Sequence, residues 1–324
     1  MTLMKLAQLA GVSVGTVSKA FSGSHEVGDT TRERIFAIAR EQGCFDKYYK
    51  RPRKRPLIAL VFPEPESEFY GRMMGVLERV LHERGADTVI AFSRFDRERE
   101  ADLFHDFAYG LCADGVIVAG TGSLICNSDH IPLITFGDQE YHNANADVVR
   151  IDFDSGMEAL LQTVKDYGHT EVGFLGESLT VGKENIFRNA LRQIGLRVCD
   201  EYIYRSDKRF TEAGEDGMRA LIARKKLPSV IVAAYDYIAF GAMKCAREMG
   251  YRVPEDISFV GMDDVSSTPY LGIPLSSLRV DFEQACRKIA DLMFKRIAVR
   301  HYRERNQIIV PVKVVLRESL RKIN

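Results

Sequence analysis

Residues 2–21 carry the pattern of two short helices joined by a tight turn, and this pattern constrains the chain more than any other. Apolar residues recur three and four positions apart in its first half. Thr2 and Ser13 are natural N-caps for a first helix and for a second helix over residues 14–21, and Gly11 stands where the backbone must turn. We expect a helix-turn-helix whose second helix presents its N-terminal residues to the DNA major groove.

The distribution of charge supports this interpretation. The chain holds 45 basic and 45 acidic residues, so its net charge is zero, but residues 1–56 alone carry a net charge of +6. The remainder therefore carries −6. A basic head on an acidic body is typical of a protein that binds nucleic acid at one end.

The cysteine pattern and the apolar runs bear on the compartment. The six cysteines are scattered, without the spacing of a metal site, and predict free thiols in a reducing environment. We find no leader-like N-terminus and no apolar run long enough to span a bilayer. We therefore expect a soluble, cytoplasmic protein with no cofactor and no metal.

The pattern changes twice along the chain. A third helix is predicted over residues 30–42, and residues 46–56 are basic, contain two prolines and predict a linker. From residue 57 onward, short buried strands alternate with amphipathic helices, which indicates parallel α/β architecture. About eight strands are expected, and two doubly wound sheets fit them better than one. The strands are predicted at residues 57–62, 87–92, 115–119, 133–136, 148–151, 171–175, 229–233 and 258–261, with a last strand at 307–316.

Several motifs resemble the LacI/GalR family of bacterial transcription regulators. They are residues 10–18 (Ala-Gly-Val-Ser-x-x-Thr-Val-Ser), 31–34 (Thr-Arg-Glu-Arg), 168–176 (Gly-His-x-x-Val-Gly-Phe-Leu-Gly) and 253–264 (Val-Pro-Glu-Asp-Ile-Ser-Phe-Val-Gly-x-Asp-Asp). The resemblance implies a homodimer that binds a pseudo-palindromic operator in double-stranded DNA, with a small-molecule effector between two periplasmic-binding-protein-like lobes. The implied domains are a helix-turn-helix domain (1–45), a shortened hinge (46–56) and a core (57–320), with an N-lobe at about 57–152 and 282–306 and a C-lobe at about 153–281 and 307–320.

The resemblance places the DNA-reading side chains early in the second helix, at Val14, Gly15 and Lys19. Lys19 can donate to guanine, Val14 can contact a thymine methyl group, and Gly15 has no side chain to read with. Hydroxyl groups suited to phosphate contacts are predicted at Thr2, Ser13, Thr16, Ser18, Ser22 and Thr31. Ser13 and Thr16 can also serve as helix caps or core residues, and both roles can hold at once.

The linker departs from the family. Members usually carry an Ala-x-x-Leu segment that forms a hinge helix on DNA, but here the linker is about three residues shorter, lacks that leucine and contains Pro52 and Pro56. Our hypothesis is a basic arm that contacts DNA through Lys50, Arg51, Arg53, Lys54 and Arg55. The alternative is a solvated tether.

Nine positions match the family's ligand cleft, and they combine aromatic faces with charged groups suited to a polar ligand. They are Phe69, Tyr70, Phe136, Asp138, Lys183, Phe187, Tyr235, Asp263 and Phe282. A sugar is the first expectation. Tyr235, Asp138 and Lys183 replace residues that are common at these positions in the family, so a phosphorylated sugar, a nucleoside, another metabolite or a protein partner stays open as the effector.

Other classes of protein are weighed against these patterns. The sequence has no phosphate-binding loop, no Gly-x-Ser-x-Gly elbow and no His-Glu-x-x-His motif, which argues against an enzyme. Adjacent Asp263 and Asp264 would point to opposite faces of a strand, so we expect one ligand contact and one structural acid. A solute-binding protein would share the two lobes but not the basic head. A dimer face is expected on the helix at residues 70–84, which is richer in apolar residues than one buried stripe needs.

Overall fold

The computed structural model describes residues 1–49, 54–111, 113–120, 131–137, 146–299 and 305–323. The chain forms two compact units. Unit 1 comprises Met1–Arg150 and Phe282–Ile308, and unit 2 comprises Ile151–Asp281 and Ile309–Asn324. Within the described residues, no helix combines the length and apolar character needed to cross a bilayer.

The head of unit 1 is the expected three-helix arrangement. Helix α1 is Leu3–Ala10, α2 is Val14–Phe21 and α3 is Asp29–Glu41. Gly11 has a φ of +64°, and its amide donates to the carbonyls of the last turn of α1. This left-handed conformation is easily reached only without a Cβ, so the tight turn depends on this glycine.

The beginning of the predicted linker is folded, contrary to expectation. Helix α4 spans Phe45–Tyr48, and the Phe45 and Tyr49 rings stack with centroids 4.6 Å apart. Both rings pack edge-on against Phe36 of α3, and Tyr49 donates to the carbonyl of Ala108 over 2.7 Å. Aromatic packing that the sequence pattern did not reveal therefore continues the head beyond residue 45.

The rest of unit 1 is a parallel sheet with helices. The sheet order is β2-β1-β3-β4-β5, and every pairing in it is parallel. Its strands are Leu57–Phe62, Asp87–Phe92, Gly115–Ala119, Leu133–Phe136 and Asp147–Asp152, numbered β1 to β5. Its helices are α5 (Glu68–Glu83), α6 (Arg97–His105), which runs into a π-helical turn at Asp106–Gly110, and α11 (Phe282–Ala298).

Unit 2 is built on a second sheet, of order β11-β10-β9-β8-β6-β7, in which only the β10–β11 pair is antiparallel. Its strands are Val172–Glu177, Ile203–Ser206, Val230–Ala233, Ser258–Asp263, Ser276–Val280 and Gln307–Val315, numbered β6 to β11. Its helices are Phe153–Asp166, Val181–Gln193, Phe210–Ala223 and Asp236–Glu248, numbered α7 to α10.

The two sheets share a strand order. In unit 1 the first strand lies between the second and third, and in unit 2 β6 lies between β7 and β8 in the same way. The order in which successive strands are added to the sheet reverses beside β1 and beside β6, and ligands of such sheets bind at the carboxyl ends of the strands at that point. In unit 2, residues that follow β6, β8 and β9 are therefore candidates.

A terminal segment closes unit 2. The Ser319 hydroxyl donates to the Phe259 carbonyl over 2.6 Å, and the Phe259 amide donates to the Ser319 carbonyl over 2.8 Å. The His169 ring donates to the carbonyl of Arg321. The amide of Ile323 donates to the carbonyl of Tyr167. Residues 316–323 thus bind β9 and the end of α7 through their backbone.

Helix α5 was expected to carry a dimer face. On α5, Met73, Leu77, Val80 and Leu81 are buried in unit 1, which leaves Met74 and Val76 partly exposed.

The cysteines in the described part of the chain are free thiols: Cys44, Cys245 and Cys286 are buried, and Cys199 is half-buried. Burial raises the pKa of Cys286 to about 12.

Candidate DNA-binding surface and ligand site

The outer face of α2 carries the residues expected to read DNA. Val14 is 42% exposed, and the exposed Gly15 has room for a ligand or a groove wall because its only near neighbour is the Ser13 hydroxyl. Lys19 is exposed and forms an ion pair with Glu26. An exposed pair of this kind is weak, so Lys19 can exchange Glu26 for a base or a phosphate at little cost.

The hydroxyls predicted to contact phosphate also have local roles. Thr2 accepts from the Lys5 amide at 3.3 Å, and Ser13 accepts from the Thr16 amide at 3.0 Å, so both cap helices. Ser22 donates to the Lys19 carbonyl. Ser18 is exposed and Thr31 is half-buried near the start of α3.

The basic arm is described only at its end. Lys50, Arg51 and Arg53 lie outside the described residues, and Lys54 is exposed. Arg55 is anchored on unit 1: its guanidinium donates to the carbonyls of His82 and Ala86, each over 2.9 Å, and its Nε lies 3.3 Å from Asp87. Arg55 thus has a structural role at the start of β1.

The head packs directly on the α6 segment of unit 1. Arg32 is fully buried, with its guanidinium 4.3 Å from the centroid of the Tyr109 ring, and Tyr109 donates to Glu33 over 2.9 Å. Burial and the Glu33 carboxylate raise the pKa of Tyr109. Gly23 lies so close to Gly110 that an added Cβ would stand 2.4 Å from the Gly110 Cα. The helix-turn-helix therefore packs against the rest of unit 1 through the close backbone approach of Gly23 to Gly110 as well as through side chains.

In unit 2, Lys183 contacts residues at the ends of two strands, β8 and β9. Its Nζ donates to the carbonyl of Ala234, which follows β8, over 2.8 Å and to Asp263, at the end of β9, over 3.3 Å. The ammonium also lies 5.1 Å from the Phe153 ring centroid and 5.9 Å from that of Tyr235. Lys183, Tyr235 and Asp263, which the sequence placed in a ligand site, are thus brought together.

A second charged pair adjoins this group. Glu177, at the end of β6, is 1% exposed, and its Oε1 accepts from Arg209 at 3.4 Å and from the Tyr235 hydroxyl at 3.3 Å. The Tyr235 hydroxyl accepts in turn from the Phe210 amide at 3.0 Å. Burial is the main reason that the pKa of Tyr235 is raised, so its hydroxyl stays protonated and can donate. We call Glu177, Lys183, Arg209, Tyr235 and Asp263 the unit 2 cluster.

The adjacent acids Asp263 and Asp264 have different partners. Asp263 faces Lys183, whereas Asp264 accepts from Arg317 at 2.7 Å, from Thr268 at 3.0 Å and from Arg279. Burial alone would raise the pKa of Asp264, but these hydrogen bonds lower it below its ordinary value. Asp263 has a φ of +99°, which is strained for a residue with a Cβ. Strained backbone of this kind is often found at ligand sites.

The remaining predicted contacts have different surroundings. Phe69 and Tyr70 at the start of α5 are half-buried, and Phe69 packs edge-on against Phe282, with centroids 5.1 Å apart. Phe136 is buried at the end of β4, and Asp138 lies outside the described residues. Phe187 is fully buried and its centroid is 5.0 Å from that of Phe174. The prediction that Phe187 contacts a ligand is wrong, because its ring faces are covered by the core of unit 2.

Sequence reasoning missed Glu177 and Arg209. One available signal was the position of Glu177 as a charged residue at the end of an otherwise apolar strand, where it meets the carboxyl end of the sheet. Its partner Arg209 lies 32 residues away, and no sequence pattern links the two.

The head and the two sheets define a class of protein, a helix-turn-helix regulator joined to a periplasmic-binding-protein-like core. Residues 2–43 match the sequence family described as "Bacterial regulatory proteins, lacI family", and residues 161–320 match the "Periplasmic binding protein-like domain". Residues 2–43 therefore carry a DNA-binding domain of the LacI family, and the curated relatives that match almost the whole chain are LacI-family transcriptional regulators. Its relatives are DNA-binding regulators and not enzymes.

Similar proteins cover almost the whole chain. The ribose operon repressor of Haemophilus influenzae is 26% identical over 333 residues, with 98% of each chain covered. The solved complex of the transcriptional regulator CelR with cellobiose is 26% identical, has a TM-score of 0.66, and the match covers 98% of this chain and 99% of that one. The lac repressor dimer bound to its operator and an anti-inducer shares the fold, with a TM-score of 0.71 at 19% identity and 98% of each chain covered.

Proposed function

We propose that this protein is a homodimeric repressor that binds a pseudo-palindromic operator and whose DNA affinity is set by a neutral, polyhydroxylated metabolite, a sugar or sugar derivative. The observation that carries this proposal is the combination of an exposed reading face on α2 with the unit 2 cluster at three strand ends. The relatives named for ribose and bound to cellobiose support the choice of ligand class.

The charges of the unit 2 cluster favour a neutral ligand. Lys183 is paired with Asp263 and Arg209 with Glu177, so each cation already has a carboxylate partner. An anionic ligand would have to displace one of these acids, whereas hydroxyl groups can donate to the acids and accept from the cations. The half-buried rings of Phe210, Tyr235 and Tyr237 offer faces for the apolar side of a sugar ring.

The dimer is proposed from unit 1. Met74 and Val76 on α5 remain partly exposed beside the core residues of the same helix, and the edge strand β2 is half-buried along most of its length. A partly exposed apolar helix next to a sheet edge suits a symmetric contact with a second copy. The lac repressor, which shares the fold, is a dimer on its operator.

In vitro selection of genomic DNA fragments by the purified protein tests the DNA-binding proposal. We expect enrichment of a palindrome, and Lys19→Ala should relax the preference at one base position in each half-site. Lys5→Ala is the matched control, because Lys5 is an exposed lysine of α1 outside the predicted reading positions. Selection that enriches no sequence, with and without each member of a sugar panel, would refute the proposal.

The basic arm has its own test. Substitution of Arg51 or Arg53 by alanine should lower the slope of log affinity against log salt by about one for each DNA phosphate that the variant no longer neutralises. Arg55→Ala differs, since Arg55 is anchored on His82 and Ala86 and its loss should first lower the stability of unit 1. An unchanged slope in both single variants would mean that the segment is a solvated tether and does not contact DNA phosphates.

A further inference from the structure

Two histidines and an aspartate meet where the head docks on unit 1. His25 lies between α2 and α3, while His105 ends α6 and Asp106 begins the π-helical turn. One ligand atom from each lies within 4.8 Å of the others. His25 Nε2 is 2.8 Å from Asp106 Oδ1, His105 Nδ1 is 3.9 Å from the same oxygen, and the two rings stack with centroids 4.6 Å apart.

His105 carries an unsatisfied atom in this group. Its Nδ1 is buried and has no hydrogen-bond partner among the residues that the structure describes. Buried polar atoms are normally paired, so an orphan calls for a functional explanation. The orphan is on the ring that lies against His25 and close to Asp106, which is where a shared ion would sit.

We propose that His25, His105 and Asp106 bind one transition-metal ion of the zinc type, which joins the head to unit 1. Two imidazole nitrogens and one carboxylate oxygen form a donor set that suits Zn²⁺ and its neighbours, with water completing the coordination. The side chains of His25 and Asp106 are 67% and 54% exposed, so they can close on an ion that reaches them from solvent.

The groups behind His105 are compatible with this assignment. Its Nε2 contacts Arg32 and lies 3.3 Å from Asp29 Oδ1. In this structure Arg32 Nη1 donates to Nε2, which therefore accepts. With the ion on Nδ1, the proton would move to Nε2, and Nε2 would exchange the Arg32 contact for a hydrogen bond to Asp29, the carboxylate–histidine–metal arrangement that orients ligating imidazoles. Arg32 opposes the ion by its charge, but Asp29 and Asp106 offset it, and Arg32 stays anchored on the carbonyls of Ser24 and Val27.

The ion would favour the docked head. An ion that binds only the docked form shifts the docking equilibrium by about 100-fold at a concentration one hundred times its dissociation constant. The metal would then decide how freely the reading helix can be presented to DNA. This consequence rests on the proposed function, whereas the site itself does not.

The experiment uses the full-length, tag-free protein, stripped of metal and titrated at pH 7.5 with Zn²⁺ and, for its visible spectrum, Co²⁺. We expect one ion per chain, d–d bands of cobalt bound through nitrogen and oxygen, and slower tryptic cleavage within residues 46–56 in the presence of metal. His25→Ala and His105→Ala should each weaken binding by more than about tenfold, the least that loss of an outer-shell partner costs.

Controls make the result decisive. His82→Ala removes an exposed histidine of α5 in the same unit and should leave binding unchanged. Because His105 is largely buried and its loss can disturb docking, the exposed His25 is the cleaner variant. Stoichiometric binding that both variants retain, or binding that leaves the cleavage rate unchanged, would overturn the proposal. A palindrome selected without metal dependence would overturn only the regulatory consequence.

Discussion

Gly23→Ala tests whether the head is docked on unit 1 as described. Gly23 has a φ of +76°, and a Cβ there would lie 2.4 Å from the Cα of Gly110 and 2.6 Å from its nitrogen and from the Tyr109 carbonyl oxygen. All three atoms are backbone, so no side-chain rotation can relieve the clash. Real Cβ atoms essentially never come within 3.0 Å of a neighbour, and the two surfaces must therefore part by at least about 0.6 Å.

The magnitude has two parts. An alanine in the left-handed region costs about 1–2 kcal/mol of strain within the head, whatever surrounds it. Overpacking adds about 1–3 kcal/mol, and this part acts only on the docked state. Docking should therefore weaken by a factor of about 5–150.

Gly43→Ala is the matched control. Gly43 has a φ of +61° and nothing within 4 Å of its added Cβ, so it carries the same strain without the clash. The assay is the rate of tryptic cleavage within residues 46–56, followed by mass spectrometry, with circular dichroism to show that the head stays helical. Gly23→Ala should be cut about 5–150 times faster than Gly43→Ala.

Equal cleavage rates in the two glycine variants would refute the close approach of Gly23 and Gly110. Tyr49→Phe provides a second route to the same question, because it removes the 2.7 Å hydrogen bond to the Ala108 carbonyl and keeps the ring. It should weaken docking by about 0.5–1.5 kcal/mol without affecting the backbone.

Three further predictions concern unit 2. Asp264→Asn should lower the free energy of unfolding by about 2–3 kcal/mol at pH 7, less than for a fully buried pair because one partner arginine is half-exposed. Since the folded pKa of Asp264 lies below its ordinary 3.8, the difference from wild type should persist above that pH and shrink as the pH falls through the folded pKa, which urea unfolding at several pH values measures. Lys183→Met should weaken binding of a ligand identified from a sugar panel by about 1.5–3 kcal/mol in calorimetry, whereas unchanged affinity would remove Lys183 from the site. Gly241→Ala should destabilise the protein by about 1–3 kcal/mol, since its Cβ would lie 1.9 Å from the Thr211 carbonyl, while Gly182→Ala, in open space on α8, should not lower the urea midpoint.

Local patterns were enough to predict most of the fold. The helix-turn-helix follows from caps and a glycine that act within a few residues, and α2 begins and ends as predicted. The strands β1 to β4 were predicted at their observed bounds because each is a short, mostly apolar run. Strand β10 was missed because its sequence begins Ser276-Ser277, which is buried through hydrogen bonds to Ser319 and Asp236. Such burial depends on residues about forty positions away, where periodicity carries no information.

Prediction of the candidate site also failed where contacts join residues that are distant in sequence. Lys183, Tyr235 and Asp263 were predicted because they match positions of the family's ligand cleft, and each lies at a strand end or early in the following helix. Glu177 was missed although it also follows a strand, since a buried carboxylate is recognisable only once its arginine and tyrosine partners are in place. Phe187 was predicted from the same resemblance, as the aromatic residue four positions after Lys183, and only its burial against Phe174 reveals a core residue.

The backbone segment that closes unit 2 has a consequence for synthesis of the protein. The head is synthesised first, and the helices in it form from residues close in sequence. The hydrogen bonds of β9 and of the end of α7 are completed only after residues 316–323 have been synthesised. During synthesis, the helices that read DNA are therefore complete long before unit 2 can be. A product that stops before residue 316 would keep the reading helix and lack the segment that binds β9 and the end of α7 in unit 2. Under the proposed function, such incomplete chains would compete for DNA without responding to the metabolite.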